Sequence, residues 1–121
     1  MPSLFEVSAG KLAGPTTGGT VTQATNKGTG VTLNTESGQI TMNNAALAAA
    51  AEVTFTVTND KIAATDVVVV NHGAAVTAGA YLLGVSTVAA GSFKVTVTNA
   101  SAGSLSEAID INFVALKGAS S

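Results

Sequence analysis

Three segments of this chain alternate apolar and polar residues without a break: residues 53–58 (Val-Thr-Phe-Thr-Val-Thr), 93–98 (Phe-Lys-Val-Thr-Val-Thr) and 109–113 (Ile-Asp-Ile-Asn-Phe). Successive side chains of an extended chain point to opposite faces, so strict alternation marks strands with one face buried and one exposed. In this register Val53, Phe55, Val57, Phe93, Val95, Val97, Ile109, Ile111 and Phe113 point into a core. The interleaved Thr residues, Lys94 and Asp110 face solvent or a partner. A slip of one residue would invert every assignment, which makes this register a sharp expectation.

Between these runs Gly, Asn, Ser and Pro set the breaks. Residues 1–19 form an N-terminal arm: a short strand at 4–8, then Lys11-Leu-Ala-Gly-Pro-Thr-Thr-Gly-Gly, where Gly and Pro punctuate regular structure. Residues 20–121 form a single domain. Strands at 20–25 and 30–34 are expected to pair as a hairpin around Asn26-Lys-Gly-Thr, because Asn and Gly tolerate the positive φ of tight turns. A third strand occupies 39–42, after the turn Thr35-Glu-Ser-Gly.

Residues 43–51 (Asn-Asn-Ala-Ala-Leu-Ala-Ala-Ala-Ala) leave two readings open. One is a helix of about two turns capped by Asn43 or Asn44, too short to be more than marginal in isolation. The other is an extended crossover. Further strands follow at 52–58, 66–71, 80–85, 91–98 and 106–116. The run Val67-Val-Val-Val does not alternate and is expected to be covered on both faces, as in a central strand or one covered by another subunit. Asp60 is expected to brace the turn at 59–61 with its side chain. Eight or nine short, evenly spaced strands predict an all-β fold, a β-sandwich of jelly-roll type.

Composition limits what such a sandwich can do. Charged residues make up 10% of the 121, against about 25% in an ordinary soluble domain. So low a charge content favours assembly. Five Lys, no Arg and a net charge of -2 provide no basic stripe for phosphates, so no nucleic-acid partner is expected. No apolar run reaches the roughly 18 residues of a membrane span, and the N-terminus lacks the basic and apolar regions of a secretory signal. No membrane association is expected. With no cysteine, disulfides and thiol chemistry are excluded.

Residue types that carry chemistry are sparse. His72 is the single histidine, with no nucleophile turn of the Gly-x-Ser-x-Gly kind to serve it, and it reads as structural or exposed. The carboxylates are scattered. Asp60 with Asp66, and Glu107 with Asp110, are the closest in sequence, and one Tyr with no Trp makes a poor sugar-binding cleft. No run of acids resembles a calcium loop, and the Gly pairs at 18–19 and 28–30 are turns. Asn99-Ala-Ser101 fits the glycosylation pattern by chance. We therefore expect no catalytic residues, no cofactor and no metal. The Thr-rich set, Thr20, Thr22 and Thr25, then Thr54, Thr56 and Thr58, then Thr96 and Thr98, reads as a solvated sheet or a wet docking face.

Two blocks carry a resemblance: Val21-Thr-Gln-Ala-Thr-Asn-Lys-Gly-Thr-Gly-Val-Thr-Leu-Asn with Ser37-Gly-Gln-Ile-Thr-Met-Asn-Asn-Ala-Ala-Leu, and Ile62-Ala-Ala-Thr-Asp-Val-Val-Val-Val-Asn with Gly91-Ser-Phe and Gly103-Ser-Leu-Ser-Glu-Ala. The chain over residues 20–117 resembles a module of small virion proteins of tailed bacteriophages and related prophage genes. The resemblance implies a capsid decoration or cement protein on the outer surface of the head. Its partners would be the major capsid protein and other copies of itself, as dimer or trimer. The same module occurs at the ends of fibre proteins, so a tail-fibre or spike role in host attachment is the alternative. A small β-sandwich enzyme is the third reading, with no motif behind it. Leu4, Phe5 and Val7 are the expected partner-interface residues, because apolar residues in an otherwise unstructured arm gain most by burial.

Overall fold

The structure is a computed structural model and describes residues 18–73 and 76–117. Those residues contain eight strands and no helix: β1 (Thr20–Thr22), β2 (Val31–Thr32), β3 (Ser37–Thr41), β4 (Glu52–Thr58), β5 (Val67–His72), β6 (Tyr81–Ala89), β7 (Ser92–Asn99) and β8 (Asp110–Leu116). They form two four-stranded sheets, ordered β1-β3-β8-β5 and β2-β4-β7-β6. A β-sandwich is therefore the architecture.

The chain changes sheet at each connection until β6, and β6–β7 is the one sequential pair that shares a sheet. This overturns the expected hairpin at 20–34. β1 pairs in parallel with β3, Val21 opposite Ile40, while β2 pairs in parallel with β4 in the other sheet, Val31 opposite Val57. The turn at 26–29 does form, with Gly28 N–H donating to Asn26 Oδ1 at 2.8 Å and Thr29 N–H to the Asn26 carbonyl at 3.1 Å. It turns the chain between layers, not back along one sheet. A jelly roll is built of antiparallel Greek keys, and one parallel pair at the edge of each sheet stands outside that plan.

The alternating runs fill the space between the sheets. Phe55, Val57, Phe93, Val95 and Val97 from the second sheet meet Ile40, Ile111 and Phe113 from the first, with Ile109 just before β8. Val53, at the open end of β4, is only partly buried. Phe93 and Phe113 join the layers, ring centroids 5.4 Å apart and planes tilted by 55°. Offset, tilted rings of this kind are the favoured aromatic arrangement.

Residues 43–51 are the extended crossover, not the helix. Leu47 bridges Leu105 in both directions, and Ala50 N–H donates to the Asn99 carbonyl at 2.8 Å. Ala50 itself takes φ 64°, a left-handed conformation that no helix interior permits. Backbone partners on the 99–105 segment replace those a two-turn helix would have supplied.

Loops are held by buried amides. Asn99 donates Nδ2 to the carbonyls of Leu47 (2.8 Å) and Gly103 (3.0 Å), and its Oδ1 accepts from Ser101 N–H (2.9 Å). It is fully buried, which removes it as a glycosylation acceptor. Asn59 donates to the Thr35 carbonyl at 2.6 Å and accepts from Lys61 N–H at 3.0 Å. That corrects the role given to Asp60, whose exposed side chain leaves the turn to Asn59. Gln23 bonds the carbonyls of Lys27 and Thr29 while accepting from Asn43 N–H.

Candidate interaction surfaces

The second sheet presents a Thr face. Register places Thr54 opposite Thr96, Glu52 opposite Thr98, Thr56 opposite Lys94 and Thr58 opposite Ser92, with Thr32 of β2 beside Thr58. The Thr54 and Thr96 hydroxyls lie 2.7 Å apart. β6 adds Leu82, Gly84 and Thr87 beside Thr98, Thr96 and Lys94. Directly opposed β-branched side chains are the stabilising unit of such a face. Thr20 and Thr22 are on the other sheet, opposite Gln39 and Thr41, so the Thr set read from sequence is split between the layers.

The first sheet's outer face is divided. Toward one end it is polar: Gln39 Nε2 donates to Asn112 Oδ1 (3.2 Å), Thr41 Oγ1 donates to Asp110 Oδ1 (3.0 Å), and Asn71 lies opposite Asn112. Toward the other end Val67 faces Leu116 and Val69 faces Val114. Val67, Val69 and Leu116 are 55%, 44% and 48% exposed. This corrects the central-strand reading of the Val run. Among the described residues β5 is an edge strand, with Val68 and Val70 turned inward and Val67 and Val69 outward.

The titratable groups are engaged one by one. Asp66 Oδ2 accepts from Ala63 N–H at 2.9 Å and from Lys117 Nζ at 2.8 Å. Glu107 accepts from Tyr81 OH (2.7 Å) and Thr77 Oγ1 (2.7 Å). These bonds, Tyr81 first, hold the Glu107 carboxyl below its ordinary range. Burial, then the same bond, pushes the Tyr81 phenol well above its own. The pair is thus locked as ionised acid and neutral phenol. Lys27, within the 26–29 turn, is buried, with Nζ donating to the carbonyls of Asn43 and Glu107 (2.6 Å to the latter). Desolvation lowers its pKa, with the Glu107 charge opposing. No feature of the sequence marks Lys27 for burial; the 42–43 and 106–107 segments that cover it arrive from far along the chain.

The carboxylate pairs singled out from sequence are not brought together into a site. Asp60 is exposed and Asp66 serves the Lys117 pair, while Glu107 and Asp110 bond to different partners. His72 packs its ring edge toward Tyr81, centroids 6.3 Å apart, and its buried Nε2 finds no hydrogen-bond partner among the described residues. No group of three His, Asp or Glu side chains gathers to hold a metal among the described residues. Leu4, Phe5 and Val7, the expected interface residues, lie outside the described residues. Comparison with protein-family models, curated proteins and solved structures finds no match to the chain.

Proposed function

We propose that this protein is a structural virion component, a capsid decoration or cement protein that binds the outer surface of a phage head and ties capsomers together by contact alone. The observation that carries this reading is the pair of charge-poor outer faces, one a Thr lattice and one ending in an exposed Val-Leu patch. Exposed apolar patches rimmed by polar side chains mark sites of association. The sequence resemblance over residues 20–117 supports the same reading. The protein acts without catalysis, cofactor or nucleic acid, and its partners are the major capsid protein and further copies of itself.

In this reading Leu4, Phe5 and Val7 order on a partner, while the sandwich supplies the rigid body. Cryo-electron microscopy of the virion that encodes the chain tests it. Density for the sandwich on the outer capsid lattice is the expected result. Density confined to tail or fibre tips would replace the decoration role with host attachment.

A further inference from the structure

Sheet edges expose unpaired backbone groups, and proteins protect them by shortening, bulging, charging or covering them. Three of the four edges here show such a device. β1 has three residues and β2 two, and β6 carries a register shift between Val85 and Thr87. β5 shows none: six residues, paired to β8 without a shift, and no charged side chain from Val67 to His72. Its outward Val67 and Val69 continue across the sheet to Leu116 and Val114. Next to it, at the far end of the strand, the buried Nε2 of His72 lacks a partner among the described residues.

The chain outside the structure offers a matching strand. Residues 4–8 read Leu-Phe-Glu-Val-Ser, which puts Phe5 and Val7 on one face of an extended segment. The described chain begins at Gly18, where an added Cβ would stand 3.5 Å from Ser37 Oγ, and enters β1 from there. β1 and β5 are opposite edges of the same sheet. β3 and β8 separate β1 from β5, and residues 8–17, fully extended, span up to about 33 Å, enough to carry residues 4–8 to the β5 edge of a neighbouring copy.

We infer that β5 accepts residues 4–8 of a second copy as an added strand, with Phe5 and Val7 beside Val67 and Val69. Main-chain bonds supply the attachment and the alternate apolar side chains supply the fit. Donor segment and acceptor edge are different parts of the chain, so two copies can exchange segments reciprocally, or several can link head-to-tail and close into a ring where the rotation permits. It deepens the proposed self-association and requires no capsid, so it can fail while the virion reading stands, and the reverse.

The full-length chain provides the test. It has no cysteine, so Ser3→Cys gives a single site for a nitroxide label. Labelled copies are mixed with isotope-enriched, unlabelled copies, and the amide signals of the second population are read. Broadening of the Val67–Asn71 amides in that population is expected, with Phe5→Asp abolishing it and converting the sedimenting oligomer to monomer at unchanged circular dichroism. Val69→Lys should do the same, while Leu82→Lys on the other sheet leaves association intact. Broadening seen only within one chain would overturn the inference, placing the segment on its own sheet. A Phe5→Asp protein that associates as before, or a wild-type chain that stays monomeric at every concentration, would overturn it as well.

Discussion

The two outer faces arise from the same period-two geometry and end up opposite in character. On β4 and β7 the outward positions are held by Thr54, Thr56, Thr96 and Thr98, and the face is polar from end to end apart from Leu82 at one corner. On β5 the outward positions are Val67, Val69 and Asn71, and the four consecutive Val leave the first two no polar side to show. An apolar run reads as doubly buried only if neighbours cover both faces. In a two-layer sandwich the outward face of each strand has no second layer over it, so half of the run becomes an exposed patch. The difference teaches that the residues set at the outward positions decide the character of each face.

The comparison presumes one shared core beneath both faces, and Phe93→Ala tests that most severely. Phe93 is fully buried and packs on Phe113 of the opposite sheet, so the loss should be about 3–5 kcal/mol in urea unfolding. A single transition is expected; two transitions would break the shared-core premise. Next in size are the glycines. A Cβ on Gly38 would stand 2.7 Å from Leu33 Cδ2 and 2.9 Å from the Gly19 carbonyl oxygen. Gly38→Ala should therefore cost about 1–3 kcal/mol, an overpacking effect. Gly84, on the Thr face with open space around it, should instead gain about 0.5–1 kcal/mol as Ala.

A double-mutant cycle on Thr54 and Thr96 sharpens the Thr-face side of the comparison. Their hydroxyl pair should show a coupling of about 0.2–1 kcal/mol, and zero coupling would reduce the lattice to solvated side chains. The smallest effects are confined to the extremes of pH. Glu107 has a depressed folded pKa, so its contribution is complete above the ordinary carboxylate value of about 4.3 and is lost as pH falls through the folded value. Tyr81 has a raised one, so its contribution is complete below about 10 and is lost as pH rises further. Thermal unfolding across pH should show both slopes in the wild type, and Glu107→Gln should remove the acid one.

Much of the sandwich was legible before the structure. Alternation at 93–98 and 109–113 placed Phe93, Val95, Val97, Ile109, Ile111 and Phe113 in the core, where they are. Turn chemistry located the bend at Asn26 yet assigned it to a hairpin, because Asn and Gly specify that a chain turns and not which strand it meets next. The same limit hid the Thr grouping: Thr20 and Thr22 alternate like Thr54 and Thr56 but belong to the other layer. The burial of Lys27 within its turn has no signal in the sequence. Its burial depends on carbonyls of Asn43 and Glu107, 16 and 80 residues away, and nothing local announces them.

What the sequence determined by itself is the strand content and, for each alternating strand, which side chains share a face, since the two-residue period follows from backbone geometry at every residue. Which strands became neighbours, which edge was left open at β5, and which polar groups were enclosed were decided only by the tertiary structure. Those outcomes rest on backbone and side-chain contacts between segments far apart in the chain, whose free energy no local pattern encodes.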